Sequence, residues 1–155
     1  MRLYLPADLS ELALPTLAAR PASAVTSALR AALPDEDEEG LERSAFLTAA
    51  DLAVLHLAGR EVPSRRVVLA LDVPDSTRFT QASQELADLP SVVGQFQGLG
   101  EAFWPAVVSI HLDEPEAAAD VAAAFDDDDA FDALGEVDLL WYHPSERSAL
   151  IAQGL

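Results

Sequence analysis

The stretch Arg65-RRVVLALDVP-Pro74 decides the fold. Val67, Leu69, Leu71 and Val73 recur at every second position, the period of a β-strand. Val68 and Ala70 on the alternate face are apolar too, which predicts a central strand covered on both sides. Outward from it, "AVVSIHLDEP" (Ala106 to Pro115) repeats the pattern. Here Val108, Ile110 and Leu112 are predicted to face inward, with Val107, Ser109 and His111 opposite. "RLYLP" (Arg2 to Pro6) reads as an N-terminal strand stopped by proline, with Leu3 and Leu5 on one face and Tyr4 on the other. "LLWYH" (Leu139 to His143) reads as the last strand, with Trp141 and Tyr142 on opposite faces. "ASAVT" (Ala22 to Thr26) reads as a short edge strand.

Between the strands the period changes. Leu41, Ala45, Thr48, Leu52 and Leu55 recur at steps of four and three, one face of a helix. The acid run Asp35 to Glu39 precedes that face and suits a helix N-terminus, and Gly59 suits its C-cap. Asp8 can cap a short helix that Pro15 interrupts. "EAAADVAAAF" (Glu116 to Phe125) and "SERSALIAQG" (Ser145 to Gly154) read as helices, the second capped by Ser145. Between Asp75 and Pro105 "TQASQELADL" suits a helical stretch and "SVVGQFQ" an added strand. With Gly94, Gly98 and Gly100 this segment is the expected functional loop.

The order strand, helices, strand, insertion, strand, helix, strand predicts one α+β domain over residues 1–155. It matches a ferredoxin-like split βαβ sandwich: a mixed or antiparallel sheet, helices on one face, and an insertion between the second and third core strands. The other sheet face would then carry Tyr4, Val68, Ala70, Val107, Ser109 and His111. That surface is too apolar to stand bare. Tyr4, Val68, Val107, His111 and Trp141 are therefore the interface candidates, covered by the insertion or by a second copy of the chain.

Twenty-seven acids face nine arginines and no lysine, a net charge of −18. Such a chain repels phosphate backbones, which argues against nucleic acid, and attracts basic proteins or divalent cations. Half of the 155 residues are hydrophobic, so a core is expected despite the charge. No apolar run reaches the roughly 20 residues of a membrane span. Cysteine is absent, which removes disulfides, thiol catalysis and cysteine-bound metal. The expectation is a cytoplasmic protein without a cofactor.

Few residues carry chemistry. Asp126, Asp127, Asp128 and Asp129 are the candidate cation ligands. No register gives an EF-hand loop, because Phe131 or Asp132 falls where its glycine belongs. The preferred reading is a helix break followed by a helix start capped by the aspartates, with Phe131 and Leu134 as its apolar pair. In "HLDEPE" (His111 to Glu116) a metal or proton-transfer cluster competes with a simpler reading, in which Asp113 is an N-cap and Glu116 completes a capping box. A ferredoxin-like sheet would keep His111 and His143 two strand spacings apart, roughly 9–10 Å, too far to share a metal. His56 has no evident partner. Arg65 and Arg66 are expected in ion pairs. No Walker loop, dinucleotide fingerprint, nucleophile elbow or zincin pattern occurs.

The blocks "MRLYLPA", "AVTSALR" with "DEDEEGLE", "RRVVLALDVPD", "VVSIHLDEPEA" and "LLWYHPSE", in this order, resemble an uncharacterised actinobacterial family classed as a domain of unknown function. The resemblance covers nearly the whole chain and implies an actinobacterial cytoplasmic protein. It supplies no catalytic residues.

The leading expectation is a non-catalytic interaction or regulatory domain that self-associates through its open sheet face, with a basic protein as a further partner. The alternative is a small enzyme or ligand binder with its site between the sheet and the 77–100 insertion. Tyr4, His111, Asp113 and His143 are the candidate polar groups for that site.

Overall fold

The N-terminal strand is the middle of the sheet. The computed structural model describes residues 1–154. Seven strands form one open antiparallel sheet: β1 (Arg2–Ala7), β2 (Arg20–Ser23), β3 (Val67–Asp72), β4 (Phe79–Thr80), β5 (Val92–Phe96), β6 (Val107–Leu112) and β7 (Leu140–Tyr142), in the spatial order β4-β5-β2-β1-β3-β6-β7. The α-helices are α1 (Ser27–Ala32), α2 (Glu38–Leu57), α3 (Gln84–Ala87), α4 (Phe103–Ala106), α5 (Ala118–Ala123), α6 (Asp128–Ala133) and α7 (Arg147–Gln153). Short 3-10 turns include Leu9–Ala13 and Pro144–Glu146.

An α+β fold with an antiparallel sheet is as expected, but the strand order departs from a ferredoxin-like one. There the first strand would lie between the last two core strands. Here β2 occupies one flank of β1, so the later strands add outward as a meander β1-β3-β6-β7. A split βαβ unit is present in another place. β2 and β3 are both antiparallel to β1 and so run the same way, with α2 crossing between them. The element that sets this order is β2, which starts two residues before the predicted strand. Thr26, the last residue of that prediction, instead caps α1.

Pro6 does not stop β1 either. Its carbonyl accepts from Arg20 Nη1, so it faces β2, where the pairing with β1 is confined to Tyr4 and Ser23. A proline costs a sheet little where its missing N–H has no ladder partner.

Helices cover both faces of the sheet. Leu3, Leu5, Leu69, Leu71, Ile110 and Leu112 face a layer made by Leu9, Leu12, Phe103 and Leu150, from the 3-10 turn Leu9–Ala13, α4 and α7. The opposite face, expected to be open, lies under α2. Leu41, Ala45 and Ala49 pack there on Tyr4, Val68 and Ala70. Val68 is fully buried in consequence and Tyr4 nearly so. The small residues on that side of α2 let the helix sit close to the sheet. Leu55, assigned to this face by spacing, points to solvent, whereas Val54 and Leu57 pack beside it against α5 and α6.

One prediction fails through a β-bulge. The β3–β6 register shifts between Ala70 and Leu71, so Ala70 pairs with Ser109 but Leu71 with Val107. The extra residue, Val108, turns to the α2 side, and Val107 is buried among the leucines of the other face. A one-residue slip reverses every side chain before it, which strict alternation cannot foresee.

The 77–100 segment extends the sheet. β5 pairs with β2 and with β4, so "SVVGQFQ" is an added strand as expected. Gly94 has φ +131°, and a Cβ there would stand 2.4 Å from the Thr80 carbonyl oxygen. Only glycine permits that approach of β4 to β5.

Candidate functional site

A concave, partly polar surface lies on the α2 side of the sheet, over β6 and β7. Side chains directly opposite in an antiparallel pair share a face. Val68, His111 and Trp141 therefore form one row across the sheet, and Tyr4, Ala70 and Ser109 the next. Ala70 and Ser109 are small, so the surface dips between Tyr4 and Trp141. α2 runs over the β1–β3 side, and Val137–Leu139 form the far wall. The result is a cleft of about 430 Å³, within the range of small-molecule sites.

His111 is the chemical centre of this cleft. Its Nε2 lies 2.9 Å from Ser109 Oγ, and the Phe46 ring of α2 meets its ring edge-on at 4.7 Å. Burial without a charged partner lowers its pKa from the usual 6.5 to about 4. It is a neutral imidazole at neutral pH, and its second ring nitrogen has no hydrogen-bond partner among the described residues. Tyr4 donates to Glu42 at 2.7 Å. Burial, then that acid, raise the Tyr4 pKa, so the phenol stays protonated. Glu39, Arg43 and Asp138 line the rim, and Trp141 stands 60% exposed at the mouth.

The remaining sequence candidates lie elsewhere. Asp113 is no helix cap, since Glu114 takes that position. It is fully buried and holds Arg66 through two side-chain bonds of 2.9 Å and one from the Arg66 backbone N–H at 2.8 Å. Arg66 thus makes the expected ion pair, whereas Arg65 donates instead to the Asp113 carbonyl and to Gln153. His143 accepts from Ser145 N and caps the turn Pro144–Glu146; Ser145, foreseen as the cap of the terminal helix, lies inside that turn, and Glu146 precedes α7. His111 lies on β6 and His143 just past the end of the adjacent β7, yet each bonds its own serine, Ser109 and Ser145. Asp127 accepts from the N–H groups of Asp129 and Ala130 and starts α6, as the helix-start reading requires. The segment 77–100 contributes no residue to the cleft.

Sequence reasoning missed a second polar centre. Asp8, Glu11 and His56 bring ligating atoms within 4.8 Å of one another, the one such trio among the described residues. Arg20 grips Glu11 at 2.7 and 2.8 Å, Arg60 Nη2 lies 2.8 Å from Asp8 Oδ2, and His56 lies 3.0 Å from Glu11. Burial would raise both carboxyls, but these partners outweigh it, holding Asp8 well below its usual value and Glu11 at about 2. The same contacts, first with Asp8 and then with Glu11, raise His56. Two guanidiniums already neutralise the two carboxylates, so the trio is an ion-pair network, closed to a divalent cation by charge. The legible signal was the spacing of Asp8 and Glu11, a capping box that also forms here.

A seven-stranded antiparallel sheet layered with helices, with a half-open cleft and two buried ionic centres, defines an α+β protein. Over residues 1–151 the chain matches the model of a family of unknown function, DUF6912, and it belongs to that family. It has no match among the curated proteins or the solved structures. No described helix is long and apolar enough to cross a membrane.

Proposed function

We propose that this protein is a non-catalytic, cytoplasmic interaction domain whose binding surface is centred on β7 at the mouth of the cleft. The exposure of Trp141 carries the reading. Trp141 and Leu140, 60% and 40% exposed, are adjacent large apolar residues on an outermost strand. Exposed tryptophan is uncommon on a free surface and enriched where partners bind. The apolar sheet face that motivated self-association is covered by α2 within one chain, which moves the expected contact from the sheet face to its edge. Against catalysis, an imidazole with a pKa near 4 is a weak base for Ser109. No carboxylate bonds its second nitrogen among the described residues.

The test is affinity capture with wild type and with Trp141→Ala as baits. Proteins retained by the wild type and lost from the variant support the reading; identical retained sets refute it.

The cleft itself favours a second reading, a small-ligand site built on Tyr4, Ser109 and His111. Its volume and the free nitrogen of His111 support it. A fragment screen followed by histidine NMR checks it: a ligand that moves the His111 ring signals in wild type and binds Ser109→Ala more weakly is expected. Absence of any such ligand removes this reading.

A further inference from the structure

The two ends of the sheet differ in what lies beside them. At the β4 end the outer strand has two residues, and Phe79 is half-buried. At the β7 end the strand pairs with β6 alone, leaving its other edge without a backbone partner among the described residues. A concavity flanks β7 on each face. Trp141 lines the cleft already described, and Leu140 and Tyr142 line a shallower depression on the opposite face, with Pro63 and Pro115. Alternate residues of one free edge strand thus open onto two separate grooves. That is the geometry of strand addition, in which main-chain bonds supply affinity and alternate side chains enter pockets on the two sides.

Charge selects the occupant. Glu114, Glu116 and Asp138 are exposed at these two concavities, where Arg43 and Arg65 also stand, in a chain whose net charge of −18 sets the sign of its field. A second copy added edge to edge would bring the same acids together, which opposes self-pairing. We propose that β7 receives an extended segment of a basic protein, with lysine or arginine side chains over Trp141 and apolar side chains in the Leu140–Tyr142 depression. Trp141 then offers its ring face to a cation, with Asp138 beside it at the rim. This inference rests on the interaction reading above and specifies its geometry and partner.

The experiment is an NMR titration of the isotope-labelled full chain with an acetylated, amidated heptapeptide of alternating lysine and valine. Two further versions carry backbone N-methyl groups on the valines or on the lysines, and a fourth replaces lysine by glutamate. Expected are shift changes and slowed amide exchange at Leu140–Tyr142 and an affinity that falls with added salt. At least one N-methylated version should bind about tenfold or more weakly, because one set of donors faces the strand. Trp141→Ala and, independently, Asp138→Lys with Glu116→Lys should weaken the lysine peptide by a similar factor, with unchanged melting temperature for the first.

The proposal is overturned by equal binding of both N-methylated peptides, which would leave the interaction surface standing but not the strand. It is overturned equally by absence of binding, by binding of the glutamate peptide to the same degree, or by shifts confined to β4. A chain that sediments as a dimer with Leu140–Tyr142 already protected would make a second copy the occupant and overturn it too.

Discussion

Two kinds of polar site stand in this molecule, and they differ in whether their charges are paired within the chain. At Arg66–Asp113 and at Asp8–Glu11–Arg20–His56–Arg60, buried charges meet opposite charges and carbonyls within the chain. At the cleft, His111 keeps a free nitrogen, Arg43 has no acidic partner among the described residues, and Trp141 projects into solvent. Closed centres hold the fold, because an unpaired buried charge is costly. The open one is held by the fold and is free to meet something else.

The largest effect should come from breaking a closed centre. Asp113→Ala leaves Arg66 buried and unpaired and should cost about 3–5 kcal/mol, read by denaturant unfolding. A loss below about 1 kcal/mol would mean that Arg66 escapes to water and that the centre is not closed. Glu11→Gln keeps the shape but weakens charge-assisted bonds to Arg20 and His56. It should cost about 1–3 kcal/mol.

Acid should act on the two regions separately. Asp8 and Glu11 titrate lower folded than unfolded, so their stabilisation is full above about pH 4.5 and is lost as pH falls towards 2. His56 is raised, so its contribution is present below pH 6.5 and is lost as pH rises through its folded value. His111 behaves oppositely. Between pH 6.5 and about 4 the unfolded chain takes up a proton that the folded chain does not, so this residue lowers stability as pH falls through that window. Histidine NMR should show a midpoint above 6.5 for His56 and near 4 for His111. Coincident midpoints would erase the distinction between the regions. The smallest effect on folding should be that of Trp141→Ala, within about 0.5 kcal/mol by thermal melting, since most of its ring is already in water.

The strands were legible in the sequence because burial on two faces leaves continuous apolar runs, as in β3. α2, the capping at Asp127 and the added strand β5 were legible for similar local reasons. The order of the strands was not. It turns on β2, four residues whose Arg20 and Ser23 are buried through bonds to Glu11 and to the Ala45 carbonyl rather than by apolar character. Hydrophobic period is silent about such a strand. The cleft was half legible. Tyr4 and His111 were singled out, but Phe46, Arg43 and Asp138 come from distant segments that only the tertiary fold brings together.

The clamp made by Arg147 has a consequence for the order of folding. Arg147 Nε donates to the Leu12 carbonyl at 2.6 Å, and its guanidinium lies 3.8 Å from the Trp104 ring centroid. Leu150 enters the core beside Leu9 and Leu12. On a growing chain β1 emerges before its partner β3, which follows some sixty residues later, and the cover over Leu9 and Leu12 comes later still. The native core therefore cannot close while the last helix is inside the ribosome. Contacts so distant in sequence make for slow folding.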